Sequence, residues 1–117
     1  MKARKRRVEK EKSVSRPSTV EKGVIVENYI KRLLRNEGIL IMRIAGSKPF
    51  DLVGLHGSKV YLIEVKSGSY VPTRQLERQK KIAKEHNAIY ITVTMDKQNR
   101  IIRHYYFPDG TEREFIS

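Results

Sequence analysis

The sequence predicts a mixed β-sheet flanked by helices, an α/β domain in the order α-β-β-β-α-β-β. Three observations carry that prediction. The chain has 117 residues, the length of one compact domain. Two stretches place apolar residues or charge at helical spacing, and between and after them lie short β-rich runs. Glycine, proline, asparagine and aspartate stand at the joints between these stretches.

Residues 1–18 are set apart as a basic arm. Lys2, Arg4, Lys5, Arg6, Arg7, Lys10, Lys12 and Arg16 have almost no apolar company, so burial cannot offset the entropy of ordering them. A flexible segment is expected there, followed by one domain over 19–117. Ser18 or Thr19 caps the first helix with Glu21 in its opening turn, and Val26, Ile30, Leu33 and Leu34 give it an apolar stripe up to a stop at Gly38. Ile39 to Ile44 reads as a strand between Gly38 and Gly46. Phe50 to Leu55 and Val60 to Lys66 read as two more, joined through His56-Gly57-Ser58 as an antiparallel hairpin. Ser67, Gly68 and Ser69 break the pattern. Pro72 or Thr73 opens a charged second helix that ends near His86 and Asn87. Ala88 to Thr94 and Ile101 to Phe107 are the last two strands, with a turn at Asp96, Gln98 and Asn99 between them. Pro108, Asp109 and Gly110 begin a C-terminal tail.

Composition narrows the function. The formal net charge is +12 and the sequence pI about 10.1, which favours polyanionic partners, nucleic acid first among them. Charge alone equally fits a chromatin-like protein without catalysis. There are no cysteines, so disulfides, thiolate metal sites and cysteine nucleophiles are excluded. No apolar run approaches the roughly 20 residues that span a bilayer. The basic start lacks an apolar segment after it, and Glu9 and Glu11 do not suit a transit peptide. A cytoplasmic protein with no membrane partner is expected.

The chemistry lies in Phe50-Asp51-Leu52-Val53 and Leu62-Ile63-Glu64-Val65-Lys66. Alternation along a strand puts Glu64 and Lys66 on one face and sends Val65 to the other, into the core. In a hairpin the start of one strand lies beside the end of its neighbour, so Asp51 meets Glu64 and Lys66. Carboxylate oxygens suit Mg²⁺ or Mn²⁺, which polarise a scissile phosphate and acidify a bound water. A neighbouring lysine positions that water or offsets transition-state charge. An ordinary cross-strand salt bridge would use the same residues.

Further motifs surround this pair of strands: Lys22-Gly23-Val24-Ile25-Val26-Glu27 on the first helix and Arg43-Ile44-Ala45-Gly46-Ser47 before Asp51. With Asp51-Leu52-Val53 and Ile63-Glu64-Val65-Lys66, in this order and spacing, the sequence from about 22 to 67 resembles the archaeal Holliday junction resolvases. These are a branch of the PD-(D/E)XK, restriction-endonuclease-like nuclease superfamily. The helix that follows is similar too. The resemblance implies that Glu27 completes a metal site whose direct ligands are Asp51 and Glu64, with Mg²⁺ as cofactor and Mn²⁺ as a substitute. It implies that Lys66 lies near the attacking water, and that Ser47 occupies a loop approaching the scissile strand with Arg43 beside it, near phosphate. It further implies a homodimer acting on four-way DNA junctions, of an archaeal or archaeal-virus type. The segment before Lys22 and everything after about 95 depart from the family pattern.

Several features admit a plainer role. Glu27 fits a solvated helix charge, and Ser47 a turn residue. His56, His86 and His104 share no ligand spacing. Tyr105, Tyr106 and Phe107 suit strand packing or a dimer interface as well as base stacking. DNA contacts are expected from Lys22, Arg43, Ser47 and Arg74, and from Arg4, Lys5, Arg6 and Arg7 of the arm, with Arg78, Lys80, Lys81 and Lys84 adding charge along the second helix. The expected function is a Mg²⁺-dependent structure-selective endonuclease that makes paired nicks in junctions. A related nuclease cutting flapped, nicked or duplex DNA and a non-cleaving DNA-binding protein on the same fold are the alternatives. Ile101 to Phe107 carries more apolar surface than an exposed edge strand should, so an apolar patch from the later strands is expected to form the dimer interface.

Overall fold

The computed structural model describes residues 19–117, with side chains from Gly23 onward. The expected arm, with Arg4, Lys5, Arg6 and Arg7, and the side chain of Lys22 lie outside the described residues. The elements run α1 (Thr19–Asn36), β1 (Leu40–Arg43), a short 3-10 turn (Ala45–Ser47), β2 (Leu52–His56), β3 (Lys59–Val65), α2 (Thr73–Glu85), β4 (Ile89–Met95), β5 (Ile101–Tyr106) and β6 (Glu112–Ile116). The strands form one six-stranded sheet in sequence order, parallel between β3 and β4 and antiparallel elsewhere. α2 makes the crossover between the two parallel strands, as a parallel connection requires.

Both helices end in the same way. The Gly38 N–H donates to Arg35 O at 2.9 Å and the Ile39 N–H to Leu34 O at 3.1 Å, with Gly38 at φ +85°. At the end of α2, Asn87 takes φ +54°, donates to Lys84 O at 3.1 Å, and Ala88 donates to Ala83 O at 2.8 Å. These are paired C-terminal caps of the Schellman type, each followed by a buried apolar residue, Ile39 or Ala88. They turn the chain sharply from helix into strand.

The sheet has a core on each face. Val26, Ile30 and Leu34 are fully buried along α1 and pack on Ile41, Leu52, Ile63, Ile91 and Val93. On the other face Ala83 of α2 packs with Phe50, Ala88 and Tyr90, flanked by Leu62, Leu76 and Ile82. At Gly54 the α1 face leaves no room for a side chain: an added Cβ would lie 2.8 Å from Ile39 Cγ2 and 3.0 Å from Ile41 Cδ1.

The expected order of elements is present, with one addition. The tail after Gly110 folds back as β6 and pairs along β5 from Ile102↔Ile116 to Tyr106↔Glu112. Its five residues are all exposed, so no burial alternation marked it in the sequence. The addition changes the premise of the expected interface, because the later strands end in β6 and not in β5. β5 is not an edge strand. Ile101 is buried, and Tyr105 and Phe107 pack against the α1 core. Exposed apolar side chains remain on β6, at Phe115 and Ile116, and also gather at the opposite edge, where Leu40 of β1 faces Leu55 of β2 and Met42 follows on the same side. Among the described residues no helix is long and apolar enough to cross a membrane.

Candidate active site

Asp51 lies one residue before β2 and Lys66 one residue after β3. Register alone brings them close, because Leu52 pairs with Ile63. Two backbone bonds then fix Asp51: its N–H donates to Ile63 O at 3.0 Å and its carbonyl accepts the Ile44 N–H at 3.0 Å. Its carboxylate closes the end of the hairpin, with Oδ2 accepting the Val65 N–H at 2.8 Å. Lys66 is held from the other side, its N–H donating to Val93 O at 2.8 Å. Side chains alternate here as expected, for Val65 packs on the α1 core while Glu64 and Lys66 share the opposite face.

Glu64 is 4 % exposed. Its Oε2 lies 3.3 Å from Lys66 Nζ, and its Oε1 accepts a hydrogen bond from Gln79 Nε2 at 2.9 Å. Burial pushes the Glu64 carboxyl above its ordinary range and neighbouring Asp51 adds to this, while the Gln79 hydrogen bond and Lys66 pull it back only in part.

Asp51, Glu64 and Lys66 line a cleft of about 770 Å³ together with Ser47, Gln75 and Arg78. Ser47 enters it from the 3-10 turn with φ +55°, after Gly46 at φ +74°. Arg78 comes from the exposed side of α2. Arg74, one turn earlier, is exposed but does not line the cleft. Glu27 lines a separate, adjoining cavity of about 340 Å³ with Gly23, Asn28, Lys31 and Arg43, and Asp51 and Val65 border it as well. There Glu27 Oε2 is 3.3 Å from Arg43 Nε and 3.6 Å from Lys31 Nζ. Asp51 therefore stands between two groups: Glu64 and Lys66 on one side, Glu27 and its two cations on the other. No three acidic or histidine side chains among the described residues converge closely enough to hold a metal ion. The structure unites Asp51, Glu64, Lys66 and Ser47, and leaves Glu27 one cavity away.

Two residues at the site were not singled out from the sequence. Gln79 is buried at the floor of the cleft, and the Tyr90 hydroxyl donates to its Oε1. Burial, then the nearby Glu64 carboxylate, push the Tyr90 hydroxyl well above its ordinary value, so it remains a protonated donor. Leu76, Gln79 and Ala83 fall three and four residues apart, on one face of α2. An amide within that apolar stripe was the available signal.

A solved structure of Archaeoglobus fulgidus Hjc, described as a Holliday junction resolvase from an archaeal hyperthermophile, is similar in fold. Its TM-score is 0.56 at 21% identity, over 82% of this chain and 83% of that one. No curated protein sequence matches. The family model described as archaeal Holliday junction resolvase (hjc) matches residues 18–104, from the start of α1 into β5 and across every motif at the cleft, and the chain belongs to that family.

Proposed function

We propose that this junction-resolving nuclease cuts DNA through Asp51, Glu64 and Lys66, using Mg²⁺ held by the two carboxylates. The observation that carries the reading is the Asp51 bond to the Val65 N–H, which fixes one carboxylate against the backbone link between Glu64 and Lys66. The donor set fits a small divalent cation. Asp51 spends Oδ2 on the Val65 N–H and Glu64 spends Oε1 on Gln79, so the hard oxygen donors are Asp51 Oδ1 and Glu64 Oε2, the latter shared with Lys66 Nζ at 3.3 Å. The raised Glu64 carboxyl marks a place where added positive charge is stabilising.

When bound, the cation supplies Lewis-acid stabilisation of charge on the scissile phosphate. The chain's residues do the remainder. Lys66, about one-third exposed, reaches the cleft to orient the attacking water and balance charge on the phosphoryl oxygens. Arg78 on α2 and Ser47 in the 3-10 turn sit on the cleft wall where a phosphate backbone would pass. Glu27, paired with Arg43 and Lys31, faces the centre from the adjoining cavity and would supply a further carboxylate to a bound cation. The excess of cationic residues supplies affinity without sequence choice. Four-way junctions require two opposed nicks, and we read the working form as a homodimer with one site per subunit.

A cleavage assay on four-way junction, flap and linear duplex, with and without Mg²⁺, tests the reading. Asp51→Asn and Glu64→Gln are expected to lower cleavage by more than about a hundredfold while leaving junction binding nearly intact. Cleavage by either variant at the wild-type rate would sink the assignment. Equal cutting of all three DNAs would leave a related nuclease with a broader target.

A further inference from the structure

Gln79 is 2 % exposed, and every polar group of its amide facing the protein has a partner. Nε2 donates to Glu64 Oε1 at 2.9 Å and to Pro49 O at 2.9 Å, and Oε1 accepts the Tyr90 hydroxyl. A buried primary amide is costly unless satisfied, and an apolar residue would fill the space at lower cost. The three partners come from three separate places. Glu64 is on β3, Tyr90 is on β4, and Pro49 belongs to the segment that carries Ser47 and Asp51. One side chain on α2 therefore links the segments that bear both carboxylates.

The orientation of the amide is determined by its neighbours. A carboxylate and a backbone carbonyl both accept, so they must face the NH₂ group. With both NH₂ hydrogens taken by these acceptors, the amide oxygen faces the Tyr90 hydroxyl, which donates to it. A rotated amide would set its oxygen against Glu64 and Pro49 O and its NH₂ against the tyrosine. Tyr90 thus locks Gln79, and Gln79 locks Glu64 Oε1, which turns Oε2 toward Lys66 and the cleft.

We propose that Gln79 is a positioning residue of the nuclease, which sets the rotation of the Glu64 carboxylate and its separation from the Ser47–Asp51 segment, with Tyr90 as its latch. This rests on the reading of Asp51 and Glu64 as the metal-holding carboxylates. It acts before any metal or DNA arrives, by preparing the donor atoms, and it predicts a defect in metal affinity rather than in DNA affinity.

The test uses the full chain as wild type, Gln79→Leu, Tyr90→Phe, the double variant and Glu64→Gln. Three quantities are measured: Mn²⁺ binding by calorimetry without DNA, four-way-junction binding without divalent metal, and the Mg²⁺ dependence of single-turnover cleavage. Gln79→Leu is expected to weaken Mn²⁺ binding and raise the half-saturating Mg²⁺ concentration by about 10–100-fold, with junction binding unchanged. Cleavage should recover at high Mg²⁺. Tyr90→Phe should shift both values in the same direction by less, and the double variant should be no worse than Gln79→Leu, because Tyr90 acts through Gln79. Unchanged metal affinity in Gln79→Leu overturns the proposal, and so does additive loss in the double variant. Should Gln79→Leu fail to fold, Tyr90→Phe carries the test, and wild-type Mn²⁺ affinity there overturns it. Glu64→Gln separates the two layers. If it binds Mn²⁺ and cuts like wild type, the site reading fails. If it is inactive while Gln79→Leu behaves as wild type, only the positioning role fails.

Discussion

Glu64 sits almost wholly out of solvent between Asp51 and Lys66, and that position has a consequence for stability. Its carboxyl is raised in the folded chain, by burial first. The folded state therefore holds a proton at Glu64 to higher pH than the unfolded state does, and stability is lost as pH rises through the folded value. Once ionised, and without metal, the carboxylate is a destabilising group retained for chemistry. Glu64→Gln is expected to raise the melting temperature at pH 7 in chelator, and the gain should shrink toward pH 4. Metal should then raise the wild-type melting temperature and leave the variant nearly unmoved. An unchanged or lower melting temperature for the variant in chelator would contradict this account. The sequence exposed Asp51, Glu64 and Lys66 because strand alternation and hairpin register act locally. Gln79 was hidden because its partners lie 11, 15 and 30 positions away, and only the docking of α2 brings them together.

Among the elements, β2 and β6 show opposite limits of a sequence reading. β2 declared itself through apolar residues, yet its critical residue is Gly54, whose need is steric and depends on β1 lying alongside. Ile39 and Ile41 reach across it toward α1, and a Cβ there meets Ile39 Cγ2 at 2.8 Å. A glycine in a strand ordinarily gives up stability, so replacing one by Ala is neutral or better where there is room for a Cβ. Gly54→Ala is expected instead to cost about 1–3 kcal/mol through overpacking, read as a lower midpoint in thermal or denaturant unfolding. A more stable variant would show that β1 can move aside. β6 left almost no trace. Glu112, Arg113 and Glu114 look like a tail, and the strand forms because Asp109 and Gly110 turn the chain and the β5 edge offers a template. Asp109 Oδ1 accepts the Thr111 N–H at 2.9 Å, Gly110 takes φ +94°, and Arg103 on β5 stacks 4.9 Å from the Phe115 ring. Its charge suits an edge that resists further pairing.

For the molecule as a whole, charge and apolar surface have separate uses. Eight of the 25 Lys and Arg lie within residues 1–16, and none of the proposed ligands does. Deleting residues 1–16 should weaken junction binding and lower the log–log salt slope by roughly 0.9 for each phosphate that the arm neutralises, with the metal centre intact. An unchanged slope would mean that the arm does not touch DNA. The sequence placed the dimer contact on the later strands, where β6 covers the β5 edge. Exposed apolar side chains occur at both edges: Phe115 and Ile116 on β6, which alternate between faces, and Leu40 (59%), Met42 (40%) and Leu55 (38%) on β1 and β2, which share one face and make the β1–β2 patch the stronger candidate. All three project from the face that α2 covers only further along the sheet, and β1 is an edge among the described residues, so a two-fold axis there would cover both the side chains and the edge. The cleft opens at the other end of β2, beyond Leu52, so that such a pairing leaves both sites exposed to DNA. Replacing Leu40 and Met42 together by Glu should therefore yield a monomer by sedimentation at micromolar concentration, with the fold kept, because neither side chain belongs to the core. The monomer keeps Asp51, Glu64 and Lys66 and should still nick a junction, but its two cuts should become uncoupled, so that on a supercoiled cruciform plasmid nicked circles accumulate ahead of linear product. Coupled cutting by a proven monomer would remove the paired-site mechanism. A variant that remains dimeric would move the interface away from β1 and β2.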